Sequence, residues 1–437
     1  MGQSYISKSY LFKLSIPIFF SNIAIPLVGI VDTGLMGHLN SEIYLAAMSI
    51  GTSVITMVFW SFGFLRMGTV GLVSQAWGAK NYNDIALTIC RNLIAALFIS
   101  IVIILLKTPI LFLIQNSFKT SFETQALIEE YVSIRLYSAP AELTIYILVG
   151  LYLGLQKTKI SSFLISFFCF SNIILSTIFV LYLNLEIFGV ALGTLISSYL
   201  TVGVFLVGSF FYFKKNFDIQ ISFKKIINRK KIFDLFKINF DIFIRTVLLT
   251  FSFLWITYLS SKLGENYLAV NAILLQFIML ASFILDSYAF STEAIVGYTI
   301  GRKAKKNFLQ VVSNSFHLSI FTGIIISLIY LVSSKFIISM LTDLDYLKYL
   351  SYEFIFWIIV IPPIASLCYQ FDGIFIGASQ TKEMRNSMIF SFLLFIISSN
   401  FLISKFGNHG LWMCLLFFMI MRSITLNYHF NKILKKF

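Results

Sequence analysis

Among the acidic side chains inside long apolar runs of this chain, Asp32 stands out in the first half, and Asp241, Asp286, Glu293 and Asp372 in the second. An ionisable group in hydrocarbon is costly unless it is paired or hydrated, so each of them is a functional candidate. Asp32 follows a proline in Pro26-Leu27-Val28-Gly29-Ile30-Val31-Asp32-Thr33-Gly34, where the missing backbone donor can bend a helix just before the carboxylate. A lone acid in this setting is suited to taking up and releasing a proton. The competing reading is a structural acid hydrogen-bonded to a neighbouring helix. In the second half, Asp241 and Arg245 are four residues apart and are expected to pair on one helix face. Asp286 and Glu293, seven apart, also share a face. Four acids against one arginine cannot all stay ionised in a dry cavity. Either one holds a proton, or the cavity takes a cation, or the group is a structural polar network. Arg66, Arg135 and Arg422 read as side chains that snorkel to an interface.

Other chemistries find little support. Cys90, Cys169, Cys368 and Cys414 stand singly without CxxC spacing, so neither a disulfide framework nor a metal site is indicated. An intramembrane enzyme would need paired aspartates or a serine with a histidine at membrane depth, and no convincing set is present, so the chain is expected not to be an enzyme.

These groups need apolar elements to carry them. With 58% hydrophobic and 12% charged side chains the chain is far too apolar for a soluble domain, where about 25% are charged. A span needs about 20 apolar residues. Such runs fall at roughly 14–36, 46–72, 92–114, 131–153, 160–182, 188–212, 238–260, 268–298, 311–333, 350–375, 387–404 and 408–430. The expectation is an all-α polytopic membrane protein with twelve transmembrane helices. The net charge of +14 resides in the short connecting segments and reads as a topology signal, with no nucleic-acid partner. With the N-terminus inside, 23 of the 33 Lys and Arg fall on the cytoplasmic side and 6 outside, which places both termini in the cytoplasm.

The expected organisation is a six-helix bundle over 1–212, a basic cytoplasmic linker over 213–237 and a second six-helix bundle over 238–437. The linker's charge could touch anionic lipid headgroups; the competing reading, a solvated loop that satisfies the orientation rule, is preferred, and no site is assigned to it. A shift of 223 positions superposes the halves: Glu42-Ile43-Tyr44-Leu45-Ala46 on Glu265-Asn266-Tyr267-Leu268-Ala269, Gly78 on Gly301, Pro140 on Pro363, Gly150 on Gly373, Gly154 on Gly377, and Thr158-Lys159 on Thr381-Lys382. Repeats with an even number of spans are related by an axis along the membrane normal, and the pseudo-symmetric pair can expose a central site to either side by rocking. The acids break the symmetry. The partners of Asp32, Asp286, Glu293 and Asp372 at this shift are Trp255, Gly63, Val70 and Val149. A repeat with dissimilar charges in its halves fits coupled transport better than a channel.

Four segments carry a family likeness: Pro26 to Thr33; Leu65-Arg66-Met67-Gly68-Thr69-Val70-Gly71-Leu72 running to Gln75-Ala76-Trp77-Gly78; Leu285-Asp286-Ser287-Tyr288-Ala289-Phe290-Ser291-Thr292-Glu293-Ala294; and Asp372-Gly373-Ile374-Phe375-Ile376-Gly377-Ala378, followed by Glu383 to Met388. In these the chain resembles the multidrug and toxic compound extrusion (MATE) transporters, in particular their bacterial DinF branch. The resemblance implies a two-bundle antiporter of the bacterial inner membrane that exports small amphipathic, often cationic compounds as H⁺ or Na⁺ flows inward. It makes Asp32 the match for the coupling acid of the first helix. Relatives with a cation site in the first bundle surround that acid with an Asn and a second acid on helix five and a Thr on helix six. Asn172 and Thr194 match, but Ser176 stands where the second acid would be. One carboxylate suits a hard cation less well, so H⁺ is the expected coupling ion and Na⁺ the lesser alternative. No cofactor is expected. The expected partners are the exported compounds and membrane lipids, with the chain acting as a monomer. The rival functions are a flippase for a lipid-linked saccharide, disfavoured because acids outnumber bases among the buried candidates, and a channel.

Overall fold

A computed structural model of the chain describes residues 7–39, 41–118, 120–217 and 223–437. Residues 218–222 of the basic linker lie outside the described residues. The described residues fall into two compact units: Phe20–Phe236, and the chain up to Phe19 with Lys237–Phe437. The helix α1 (Lys8–Gly37) runs unbroken through Pro17 and Pro26 and contributes to both units.

The Phe20–Phe236 unit continues with α2 (Glu42–Trp60), α3 (Phe64–Gly78), α4 (Tyr82–Leu105), α5 (Lys107–Ser117), α6 (Phe122–Leu136), α7 (Ala139–Gly154), α8 (Thr158–Thr177) and α9 (Glu186–Asn216), then the single turn α10 (Phe223–Ile226) and the start of α11 (Arg229–Leu263). Its starts are written in the sequence. The side chains of Ser41, Asn81 and Ser121 accept from the backbone N–H groups of Ile43, Asp84 and Thr124, satisfying donors that a helix N-terminus leaves over. The other unit is built from α11, α12 (Glu265–Gly301), α13 (Lys305–Leu341), α14 (Asp345–Glu353), α15 (Ile355–Gly377) and α16 (Thr381–Leu434).

Twelve spans result among the described residues. Ten helices are long and apolar enough to cross a membrane; the pair α6–α7, bent by 49°, adds one, and α16 is two helices broken at Gly407, where φ is +55°. Residues facing lipid account for the many exposed large hydrophobics, such as Phe98, Phe210 and Phe321.

The repeat is written into the backbone. α3 packs on α7 and α4 on α7 in one unit, as α12 packs on α15 and α13 on α15 in the other. Lys80 and Lys303 take left-handed φ of +58° and +54°, and Gln156 and Ser379 take +59° and +48°, each pair separated by the same 223 positions. Each closes its helix in the same way: Asn81 N–H donates to the Ala76 carbonyl as Ala304 does to Thr299, and Lys157 to Tyr152 as Gln380 does to Phe375. The close helix contacts match too. A Cβ on Gly150 would stand 2.8 Å from the Arg66 carbonyl oxygen, and one on Gly373 would stand 2.5 Å from that of Ala289, its counterpart. The halves part company where the chain breaks between α2 and α3 around Gly63, whereas α12 runs straight through the equivalent Asp286, and again where it breaks between α4 and α5 at Leu106, whereas α13 runs straight through the equivalent Ile329.

Candidate functional site

Within the Phe20–Phe236 unit, four of the sequence candidates come from three helices. Asp32 on α1 is 5% exposed. Asn172 and Ser176 sit one turn apart on α8, so both face the same way, and Thr194 lies on α9. The Asn172 Nδ2 donates to Thr194 Oγ1 over 2.7 Å, and Thr194 Oγ1 donates to the Val190 carbonyl at 3.1 Å. α8 and α9 meet closely here, since a Cβ on Gly193 would fall 2.7 Å from Ser176 Oγ. Ser176 and Arg135 lie near enough to influence the Asp32 carboxyl, with no hydrogen bond to it in the structure. Three buried oxygens of this group have no hydrogen-bond partner: Asp32 Oδ1, Asn172 Oδ1 and Ser176 Oγ. A buried acceptor without a donor costs about 1–3 kcal/mol. Such a set is chemically ready for a proton on the carboxyl or for a small cation among oxygens.

Arg135 does not snorkel. It is buried at the α6–α7 bend, where its Nη1 meets Glu142 Oε1 at 2.5 Å and Ser138 Oγ at 2.9 Å, while Ser138 Oγ donates to Glu142 at 2.8 Å. Its guanidinium is therefore already paired, while its charge still reaches Asp32. The sequence reading missed Glu142 and Ser138 because the seven-residue separation of Arg135 and Glu142 spans a helix break at the Tyr137–Ser138 step.

In the other unit the candidates are present, but their pairing differs from expectation. Arg245 does not pair with Asp241. It donates through Nη2 to Asp372 Oδ2 on α15, and Arg422 Nη2 donates to the same oxygen at 2.5 Å. Asp241 accepts instead from Arg385 Nη1 at 2.6 Å and from Thr381 Oγ1 at 3.0 Å, both at the start of α16. The reason is energetic. An exposed four-residue pair on one helix contributes about 0.5 kcal/mol at most, whereas Asp241, Arg245, Asp372 and Arg422 lie buried where an unmatched charge costs far more. Arg422, 2% exposed, is likewise no snorkelling side chain. Three guanidinium groups thus serve Asp372 and Asp241, and the argument from four acids against one arginine fails. Glu293 is buried next in sequence to Thr292, whose hydroxyl donates to Gln370 Oε1 at 2.9 Å; Asp286 is half-buried and acts on Tyr369 along with Asp372. Arg385 and Thr381 were missed because their contact with Asp241 joins segments 140 or more residues apart.

Comparison with known proteins agrees with this architecture. The MatE family model matches the chain twice, over residues 17–178 and 242–402. The DNA damage-inducible protein F of Escherichia coli (strain K12) is 34% identical over 96% of this chain and 91% of its own length. The multidrug export protein MepA of Staphylococcus aureus (strain MRSA252) is 23% identical over 67% of this chain and 66% of its own. Among solved structures, a MATE protein crystallised in complex with MaL6 superposes with a TM-score of 0.87 at 16% identity, covering 98% of this chain and 97% of that one, which shows a shared fold.

Proposed function

The chain belongs to the MATE family of transporters and is no enzyme, and from that premise we propose that it is a secondary active exporter of small amphipathic and cationic compounds, driven by protons entering through Asp32. It is a multi-span membrane protein; we place it in the bacterial inner membrane with both termini cytoplasmic, working as a monomer among membrane lipids, with no cofactor. The observation that carries the reading is the state of Asp32: a single buried carboxylate whose Oδ1 lacks a hydrogen-bond donor, beside Ser176 and the unpartnered Asn172 Oδ1. A carboxylate held this way is poorly solvated when charged, and a proton relieves it. Protonation from outside removes that charge and favours the state that releases the exported compound. Loss of the proton to the cytoplasm restores the charge and the affinity for the next cation.

A second reading has specific support. Three unpartnered oxygens from Asp32, Asn172 and Ser176 are the ligand type a hard cation prefers, so Na⁺ is the alternative driving ion. It is less favoured because a single carboxylate neutralises it.

The test uses proteoliposomes loaded to report ethidium movement under an imposed pH gradient, a Na⁺ gradient or both. Uphill ethidium transport driven by the pH gradient alone, and absent from Asp32→Asn, is the expected result. Concentrative transport surviving in Asp32→Asn rejects the role of Asp32, and transport that follows only the Na⁺ gradient selects the alternative.

A further inference from the structure

The basic linker is not held as a free loop where the chain is described. Arg91 lies buried on α4, and its guanidinium donates to two successive backbone carbonyls, Nη2 to Lys225 at 2.7 Å and Nε to Ile226 at 3.1 Å. Its Nη1 stands 4.0 Å from Asp84, which also faces Lys231 at 3.7 Å. On the entering side, Phe217 stacks on Tyr82 with ring centroids 4.3 Å apart and meets Trp77 edge-on. The chain on either side of residues 218–222 is therefore held to α3 and α4, and Arg91 sets the orientation of the turn α10.

That orientation has a consequence for the side chains. With its carbonyls turned in to Arg91, the segment leaves Lys224, Lys225, Arg229 and Lys230 exposed, and next to them Ile227 and Phe233, 51% and 67% exposed. Between residues 223 and 237 only Asp234 is acidic. Basic side chains with exposed apolar and aromatic ones among them, in the segment that leads into the apolar run of α11 starting near 238, match the interface of a bilayer: cations at the level of the phosphates, rings and aliphatic chains below them. Orientation during insertion needs only that lysines and arginines be on this side. It gives no reason for a buried arginine to hold the backbone from which they project.

We propose that α10 and the first turn of α11, braced by Arg91, form a docking surface for anionic phospholipid headgroups of the cytoplasmic leaflet. The experiment follows hydrogen–deuterium exchange of the peptide covering 223–233 in the full protein in nanodiscs of phosphatidylcholine, of a phosphatidylcholine–phosphatidylglycerol mixture, and of phosphatidylcholine with inorganic phosphate added. Exchange should slow by at least about fivefold in the mixed nanodiscs, the factor that one surface lysine or arginine contributes at an anionic leaflet, and the slowing should vanish in high salt. Lys224→Gln/Lys225→Gln/Lys230→Gln should lose it while leaving exchange in phosphatidylcholine unchanged. Arg91→Gln should exchange fast in every nanodisc. Equal exchange in neutral and anionic nanodiscs overturns the proposal, as does equal slowing by inorganic phosphate, which assigns the surface to free anions. Slowing that persists in Arg91→Gln overturns the bracing role of that side chain.

Discussion

Arg422 donates to Oδ2 of Asp372 across 2.5 Å, with both side chains buried, and Arg245 donates to the same oxygen. Two guanidinium groups share one carboxylate at this point of the Lys237–Phe437 unit, with the charge of Asp286 also acting there, where the sequence pattern suggested one arginine among four acids. A second buried acid, Asp241 on α11, is held separately by Arg385 and Thr381.

From this arrangement Asp372→Asn is expected to destabilise the protein by about 3–5 kcal/mol, because two buried guanidinium groups lose their shared counter-charge. Adding Arg422→Met to Asp372→Asn should restore part of the loss, since one cation then remains and its neighbour is apolar. Thermal unfolding in detergent, followed by size-exclusion fluorescence, reads both. An Asp372→Asn protein that melts with the wild type shows that the pair does not hold this unit together.

Thr194→Val removes the acceptor of Asn172 Nδ2 and leaves a buried amide donor unpaired, at about 1–3 kcal/mol. The carboxyl of Asp32 is untouched. The expected variant is therefore less heat-stable and slower, yet still driven by the same ion gradient, and a ratio of substrate moved to ions moved that falls along with the rate would make Thr194 part of the coupling itself.

Close helix packing predicts a contrast between two glycines. Gly373→Ala would place a Cβ 2.5 Å from the Ala289 carbonyl oxygen, so α15 must move off α12; overpacking of this kind costs about 1–3 kcal/mol. Gly208→Ala on α9 meets nothing within 4 Å and should gain about 0.5–1 kcal/mol from the higher helix propensity of alanine. Melting curves of the two single variants should move in opposite directions.

The same glycines explain what could be read beforehand. Gly150 and Gly373, or Gly154 and Gly377, stand out at a shift of 223 because each fits backbone against backbone in its own unit, and a local steric demand of that sort leaves a mark at a fixed position. The spans were legible for an equally local reason, the apolar length that a bilayer requires. Lys80 and Lys303 close equivalent helices with left-handed backbone although neither is glycine, so residue type alone did not signal those ends. Ion pairs were the least legible. Arg245 has a carboxylate one turn away in sequence and pairs with another 127 positions on. Spacing along one helix describes an isolated helix, while burial lets the strongest cross-helix partner win. At the candidate site, Asp32 stood out by its charge in an apolar run, whereas Asn172, Ser176 and Thr194 are ordinary polar residues that only a family pattern singles out.

Ser176 is the position where the choice of ion can be altered with one side chain. It lies one turn from Asn172 on α8, near enough to Asp32 to influence it, and its Oγ has no partner of its own. Replacing it with aspartate exchanges that hydroxyl for a second carboxylate, beside the two other oxygens without donors, Asp32 Oδ1 and Asn172 Oδ1. Two carboxylates in one dry site either share a proton or bind a cation, and a hard cation with two negative ligands is much better compensated than with one. Ser176→Asp is therefore expected to bind Na⁺ at least about tenfold more tightly, equivalent to about 1.4 kcal/mol, measured as Na⁺-dependent heat stability of the purified protein. Ethidium transport by the variant should gain a response to a Na⁺ gradient that Ser176→Ala does not show. Identical Na⁺ titrations for wild type, Ser176→Ala and Ser176→Asp would mean that the oxygens around Asp32 do not form one ion site, and the coupling scheme built on them would fall with that result.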